Sequence, residues 1–290
     1  MLQCTVGYPL YEPEPFSELS KEYYLPKGVN VGDVGFVRED GTFDFLFNIC
    51  PTENGLPSPP NLPDGSSLHP EHSKTRTMRP LPPDTCFFPP TVTKTESGKY
   101  TCKGPEGAIL ILPEGAIQDE AISTGRFEDL AKLRGVEWYK YAKFRGRSIS
   151  NGSLYLVTSS IKCTQWGIAV FDRPGDSGQA LTFVSNPLSW KGLGALTTKV
   201  ADPNKGDTPN QCVFLRGYKI MIRQDIFDKL PTRKPAHRIR GGGANDFLSR
   251  VLSGGNSLTR TKISTAKKSD KAPAAPLTAN VNPSLVRRSP

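Results

Sequence analysis

The sequence predicts an α+β fold that is mainly β, an antiparallel sandwich or partial barrel with one main helix packed on it. Three observations carry that expectation. The chain holds 27 prolines and 27 glycines in 290 residues, and both residue types are poorly tolerated inside helices. Short apolar runs separated by turn residues recur along the first 223 positions. A helical period is sustained only once, so the crossover helices that a parallel sheet needs are missing.

In order along the chain, the first strong signal is VGDVGFVREDGTFDFLFNIC. Val34 to Val37 and Phe43 to Ile49 are strand-like, and Asp40-Gly41 supplies hairpin turn chemistry. The two-residue period places Phe43, Phe45 and Phe47 on one face, with Asp44 and Asn48 on the other. Residues 51 to 90 hold eleven prolines, which remove backbone donors, so a long proline-rich loop, 51–93, is expected to be mobile within the domain. Lys99 to Lys103 and Ala108 to Leu112 are strands bracketing the turn-like Gly104-Pro105-Glu106-Gly107.

STGRFEDLAKLRGVEWYKYAKF is the one convincing helix, with Ser123 or Thr124 as N-cap. Phe127, Leu130, Leu133 or Arg134, and Trp138 recur at helical spacing as its core face, and Gly135 weakens its middle. Strands follow at Ser153 to Ser159, Gln165 to Phe171, Gln179 to Val184, roughly Leu193 to Val200, and Gln211 to Arg223. Residues 1–230 therefore form one β-rich domain, and 231–290, rich in Gly, Ser, Thr, Pro, Ala and Lys, a disordered tail with at most a helical turn at NDFLSRVL.

The motifs GYPLYEPEPF, KGVNVGDVGFV, DGTFDFLFNIC, EGAILILPEGA, EWYKYA, NGSLYLVT and NQCVFLRGYKI together resemble a family of uncharacterised intracellular proteins of basidiomycete fungi. The similarity spans most of residues 6 to 223 in order. It implies an intracellular protein and carries no reaction, ligand or catalytic residue over to this chain.

The formal charge of +9 is unevenly distributed. Residues 231–290 carry a net +10 and residues 1–230 a net −1, so only the tail offers attraction to nucleic acid or acidic partners, through Arg233, Lys234, Arg238, Arg240, Lys267, Lys268 and Lys271. Aromatic interleaving is confined to Phe247 there, which argues against base stacking. The opening MLQCTVGYPLYEPEP has neither the basic nor the apolar region of a signal peptide, and no run is long enough for a bilayer. A soluble cytoplasmic or nuclear protein with mostly reduced thiols is expected, because the six cysteines show no tight framework. In such a compartment Asn151-Gly152-Ser153 is a turn and not a glycosylation site.

Arg-Pro-Gly-Asp-Ser-Gly from Arg173 to Gly178 places Ser177 in the setting of a chymotrypsin-like nucleophile. Such a serine needs a histidine base. His69 and His72 fall in the proline-rich loop and His237 in the tail, so a turn is the favoured reading and a serine hydrolase the alternative. His69, Glu71, His72 and Cys86 could be metal ligands, but a flexible loop does not by itself supply a tetrahedral arrangement, and no metal or cofactor is expected. Trp138, Tyr139 and Tyr141 are expected to pack on the sheet. The expected function is a non-enzymatic binding or sensing module with an unknown protein partner. Tail-driven association with nucleic acid or acidic partners is a second alternative.

Overall fold

The computed structural model describes residues 6–15, 24–50, 65–175, 179–204, 207–231 and 286–288. Apart from the backbone of 286–288, the tail 231–290 lies outside these residues from position 232 onward. So do the NDFLSRVL segment and residues 51–64 of the proline-rich loop.

Two long strands set the architecture. β10 (Leu154–Cys163) and β15 (Gln211–Ile220) pair antiparallel from Leu154↔Ile220 to Cys163↔Gln211. All ten residues of β10 are buried, because its apolar first half is covered on both faces. The free edge of β15 receives β1 (Tyr8–Pro9) and the backbone of β16 (Val286–Arg288). The other edge of β10 takes two partners in succession. β2 (Asp33–Val37) pairs at Tyr155 and Leu156 and continues into β3 (Phe43–Asn48). β9 (Ile117–Ala121) pairs at Ser159 to Lys162 and continues into β4 (Thr75–Thr77). The result is an eight-stranded antiparallel sheet.

Two four-stranded antiparallel sheets complete the β-structure. One runs β14 (Thr197–Val200), β11 (Gly167–Phe171), β8 (Gly107–Leu112), β5 (Thr85–Phe87). The other runs β13 (Leu188–Gly192), β12 (Leu181–Ser185), β7 (Lys99–Cys102), β6 (Val92–Lys94). Ile109, Ile111, Ala169 and Phe171 of the first meet Val92, Tyr100, Cys102 and Leu181 of the second in one apolar cluster. Leu110, Leu112 and Ile168 instead meet Ile161, Val213 and Phe214 of the large sheet. The small sheets thus form a sandwich that leans on one end of the large one, and the expected α+β, mainly β class describes the chain.

The main helix, α2 (Thr124–Phe144), covers the other end. It buries Phe127, Ala131, Trp138, Tyr139 and Ala142 against Leu154, Leu156, Tyr218 and Ile220. Leu133, expected on that face or replaced there by Arg134, is 63% exposed. Gly135 does not merely weaken the helix. A Cβ there would lie 3.0 Å from the Ile220 side chain, so the glycine lets the helix pack tightly on β15 at this point. Ser123 occupies the N-cap position without a side-chain capping bond. Trp138 and Tyr141 meet the Phe47 ring edge-on at 5.7 and 5.3 Å, as expected of a packing face. A four-residue helix, α1 (Tyr24–Lys27), and a five-residue one, α3 (Gln224–Asp228), flank the sheet.

Two local expectations need correction, and one turn joins strands of different sheets. The hairpin forms around Asp40-Gly41, but its register shifts between Val34↔Phe47 and Gly35↔Phe45. The extra residue, Leu46, turns Phe47 into the helix-side core while Phe43 and Phe45 pack on the opposite side. The strands Lys99–Cys102 and Gly107–Leu112 do not pair with each other, since the four-residue turn between them carries the chain from one small sheet to the other. Finally, Leu193 to Val200 is not one strand. β13 ends at Gly192, Leu193 and Leu196 are exposed, and β14 begins at Thr197.

Tyr139 ties helix to sheet. Its hydroxyl donates to the Ile220 carbonyl at 2.7 Å and accepts from Gly152 N–H at 2.8 Å. Tyr139→Phe leaves a buried carbonyl without its hydroxyl donor, so a loss of about 1–3 kcal/mol is expected in urea unfolding, with an unchanged far-UV spectrum.

Candidate functional site

Two features concentrate polar chemistry, and both are built on β2 and β10. The first is a surface cleft of about 530 Å³ lined by Phe36, Val37, Arg38, Glu39, Asp40, Ser148, Ile149, Ser150 and Ser153. One wall is the β2–β3 turn. Asp40 accepts from the backbone and hydroxyl of Thr42, which, with Arg38 at 3.4 Å, holds its carboxyl below the usual range. The other wall is the loop after α2. Asn151 clamps it by donating to the Ile222 carbonyl at 2.7 Å and accepting from Ile222 N–H at 3.0 Å, as a turn at Asn151-Gly152 predicts. Ser153 donates to the Ser150 carbonyl at 2.6 Å. Val37 and Ser153 also line an adjoining hollow of about 120 Å³ with Tyr8, Tyr155 and Lys219.

The second feature is a buried polar cluster where β10 exchanges β2 for β9. Between Val157↔Gly217 and Ser159↔Arg216 the ladder skips Thr158, and between Ile161↔Phe214 and Lys162↔Cys212 it skips Val213. Those bulges turn Ser160, Lys162 and Cys212 toward the covering segment of α1 and residues 28–33. Lys162 is 9% exposed, and its ammonium donates to Asn30 Oδ1 at 2.8 Å and to the Lys27 carbonyl at 3.2 Å. Asp33 accepts from the Asn30 backbone N–H and from Asn48 Nδ2, each at 2.7 Å. Asn48 Oδ1 in turn accepts from Cys50 N–H at 2.6 Å. Gly28 makes the turn above the cluster with φ +62°, and a Cβ there would lie 1.9 Å from the Asn210 carbonyl oxygen, so only glycine fits.

Burial pushes the Asp33 carboxyl up to about 7, against its two amide donors and Lys162, which pull it down. Burial likewise pushes the Cys212 and Cys50 thiols up to about 12 and raises the Tyr24 phenol. These thiols are protonated at neutral pH and are poor nucleophiles there. The five described cysteines are free.

Ser177 and the tail residues Arg233, Lys234, Arg238, Arg240, Lys267, Lys268 and Lys271 lie outside the described residues. Just before Ser177, Gly175 N–H donates to the Cys102 carbonyl of β7 at 2.8 Å. His69 and His72 instead lie at the 3-10 turn Pro70–His72, with ring centroids 6.1 Å apart, beside Leu68 of the helix-side core. His69 Nδ1 accepts from Glu71 N–H at 3.4 Å. Cys86 is not drawn to these histidines; its thiol contacts the Tyr100 hydroxyl at 3.3 Å and Lys94 Nζ at 3.8 Å. Among the described residues no three of His, Cys, Asp and Glu are grouped to hold a metal, and no helix is long and apolar enough to cross a membrane. Asp33 and Asp44 are the buried carboxylates among the described residues, and Asp44 pairs with Arg147 at 3.1 Å; Asp119 bonds the Thr77 hydroxyl and Asp172 is exposed. Sequence reasoning passed over Lys162 and Asn30. The available signal was the polar run Thr158-Ser159-Ser160 followed by Lys162 inside a strand whose two faces are both buried.

Comparison with family models, with curated proteins and with solved structures returned no match.

Because Asp33 binds its proton more tightly when folded, its contribution to stability is complete below about pH 4 and is lost as pH rises through about 7. The shift corresponds to on the order of 4 kcal/mol. The urea midpoint is expected to fall between pH 5 and pH 8, and Asp33→Asn to flatten that slope; an unchanged slope in the folded variant would contradict the assignment.

Proposed function

We propose that the domain is a non-enzymatic binding module whose ligand enters the cleft between the β2–β3 turn and the 148–153 loop. The observation that carries this reading is the continuity of that cleft with the hollow at Lys219 through Val37 and Ser153. The joined lining has an apolar floor of Phe36, Val37 and Ile149, a rim of serine hydroxyls, two tyrosines, and separated charges. Few polar groups on an apolar floor orient a small ligand. Hydroxyl or amide groups of such a ligand would face Ser148, Ser150 and Ser153, and an anionic group would reach Lys219. The walls are held by the Asp40–Thr42 and Asn151–Ile222 hydrogen bonds, which limits the ordering cost of binding. The resemblance to an intracellular fungal family is compatible with this role and supplies no ligand.

Ligand-observed NMR with hydroxylated carboxylates, sugar phosphates and short peptides tests the reading on the full chain. At least one class should bind without turnover. Ser153→Trp and Lys219→Glu should each weaken it by about tenfold or more, equivalent to roughly 1.4 kcal/mol, with the melting temperature preserved. Turnover of a bound compound, or binding indifferent to both variants, would contradict the proposal.

A further inference from the structure

We propose that the outer edge of β15 at Tyr218–Ile220 is a docking site for an extended acidic peptide, which adds there as an antiparallel strand in place of β16. β10 takes the inner edge of β15 along its whole length, so further partners meet only the outer one. β1 fills part of that edge at Phe214 and Leu215. It is fastened there, because Leu10 N–H donates to the Val213 carbonyl at 3.0 Å and Arg216 Nε to the Val6 carbonyl at 2.6 Å. The stretch beyond it, Tyr218–Ile220, pairs with Val286–Arg288. That occupant reaches the edge only through positions 232–285, which lie outside the described residues, and so competes there as a tethered ligand. A ladder of three residue pairs is short, and short strands are marginal on backbone bonding alone.

The register defines what a better occupant contains. Tyr218 and Ile220 are buried in the helix-side core. Lys219 between them is the exposed residue of β15, and among the described residues no carboxylate pairs with it. Residues directly opposite each other on two strands share a face, where opposite charges attract and like charges repel. β16 sets Arg287 opposite Lys219, and Arg288 at the register position of the buried Tyr218. Only Val286, opposite Ile220, matches its neighbour in character. An apolar–acidic–apolar segment matches all three positions. Its carboxylate would meet Lys219 beside the hollow that this lysine lines with Tyr8 and Tyr155. In recognition by strand addition the main chain gives affinity and alternate side chains give selectivity, which is the division of labour this edge offers. The docking site is the strand edge and not the cleft, so it stands apart from the small-ligand reading above.

Fluorescence anisotropy on the full chain tests it with three labelled, blocked heptapeptides. One carries valine–glutamate–valine between threonines, the second has lysine in place of the glutamate, and the third has proline in place of both valines. Adjacent prolines introduced by Val286→Pro with Arg287→Pro remove a donor in either phase of the β16 ladder. That variant should bind the glutamate peptide about threefold or more tightly than wild type, whereas Arg287→Glu, which gives β16 the charge that suits Lys219, should bind it about threefold or more weakly. Adding Lys219→Glu to the proline variant should reverse the preference between the glutamate and lysine peptides. A folded proline variant that binds no peptide, or binds the proline peptide equally well, would overturn the proposal. So would a preference indifferent to Lys219→Glu. If light scattering shows the proline variant to be a dimer that takes no peptide, a second copy is the occupant and the proposal also falls.

Discussion

The ladder between β10 and β15 is the constraint on which the remaining structure depends. Ten consecutive buried residues on β10 require a covering layer on each face and a hydrogen-bonding partner on each edge. The chain meets those four demands with segments far apart in sequence. α2 covers the Leu154 and Leu156 face, the N-terminal residues around Tyr24 cover the Tyr155 and Val157 face, β15 takes one edge, and β2 with β9 share the other. Sequence separation between partners is large, which makes closure of these contacts entropically costly and their cooperation necessary.

The two bulges in this ladder connect fold to chemistry. Without them the alternation of side chains would continue, and Ser160 and Lys162 would fall on the face opposite Tyr155 and Val157. With them, polar side chains collect under the α1 segment, where Asn30, Asp33 and Asn48 form a hydrogen-bonded chain. The same segment continues into the hairpin whose turn walls the surface cleft. Cleft and buried cluster are therefore two ends of one structural element.

Much of the architecture is legible in local sequence because local chemistry determines it. Asp40-Gly41 between phenylalanine-rich strands specifies the hairpin, and the spacing of Phe127 and Trp138 specifies the helix. What escapes is information carried by partners. The Gly104–Gly107 turn has hairpin composition, yet it switches sheets because Tyr100 finds Leu181 and Leu110 finds Phe87. Leu46 resembles any other residue of an alternating strand until Val34 and Gly35 impose a bulge on it. Lys162 and Asn30 carry no motif, and their relation exists only once the ladder has set Lys162 inward.

Amide hydrogen exchange under native conditions, read residue by residue, tests the primacy of the ladder most directly. The account predicts that the slowest exchange, at the free energy of global unfolding, is found in Leu154–Val157 and Phe214–Ile220, with the small sheets and the β2–β3 hairpin opening at lower cost. Protection that is greater in the hairpin or in the small sandwich than in β10 and β15 would contradict it.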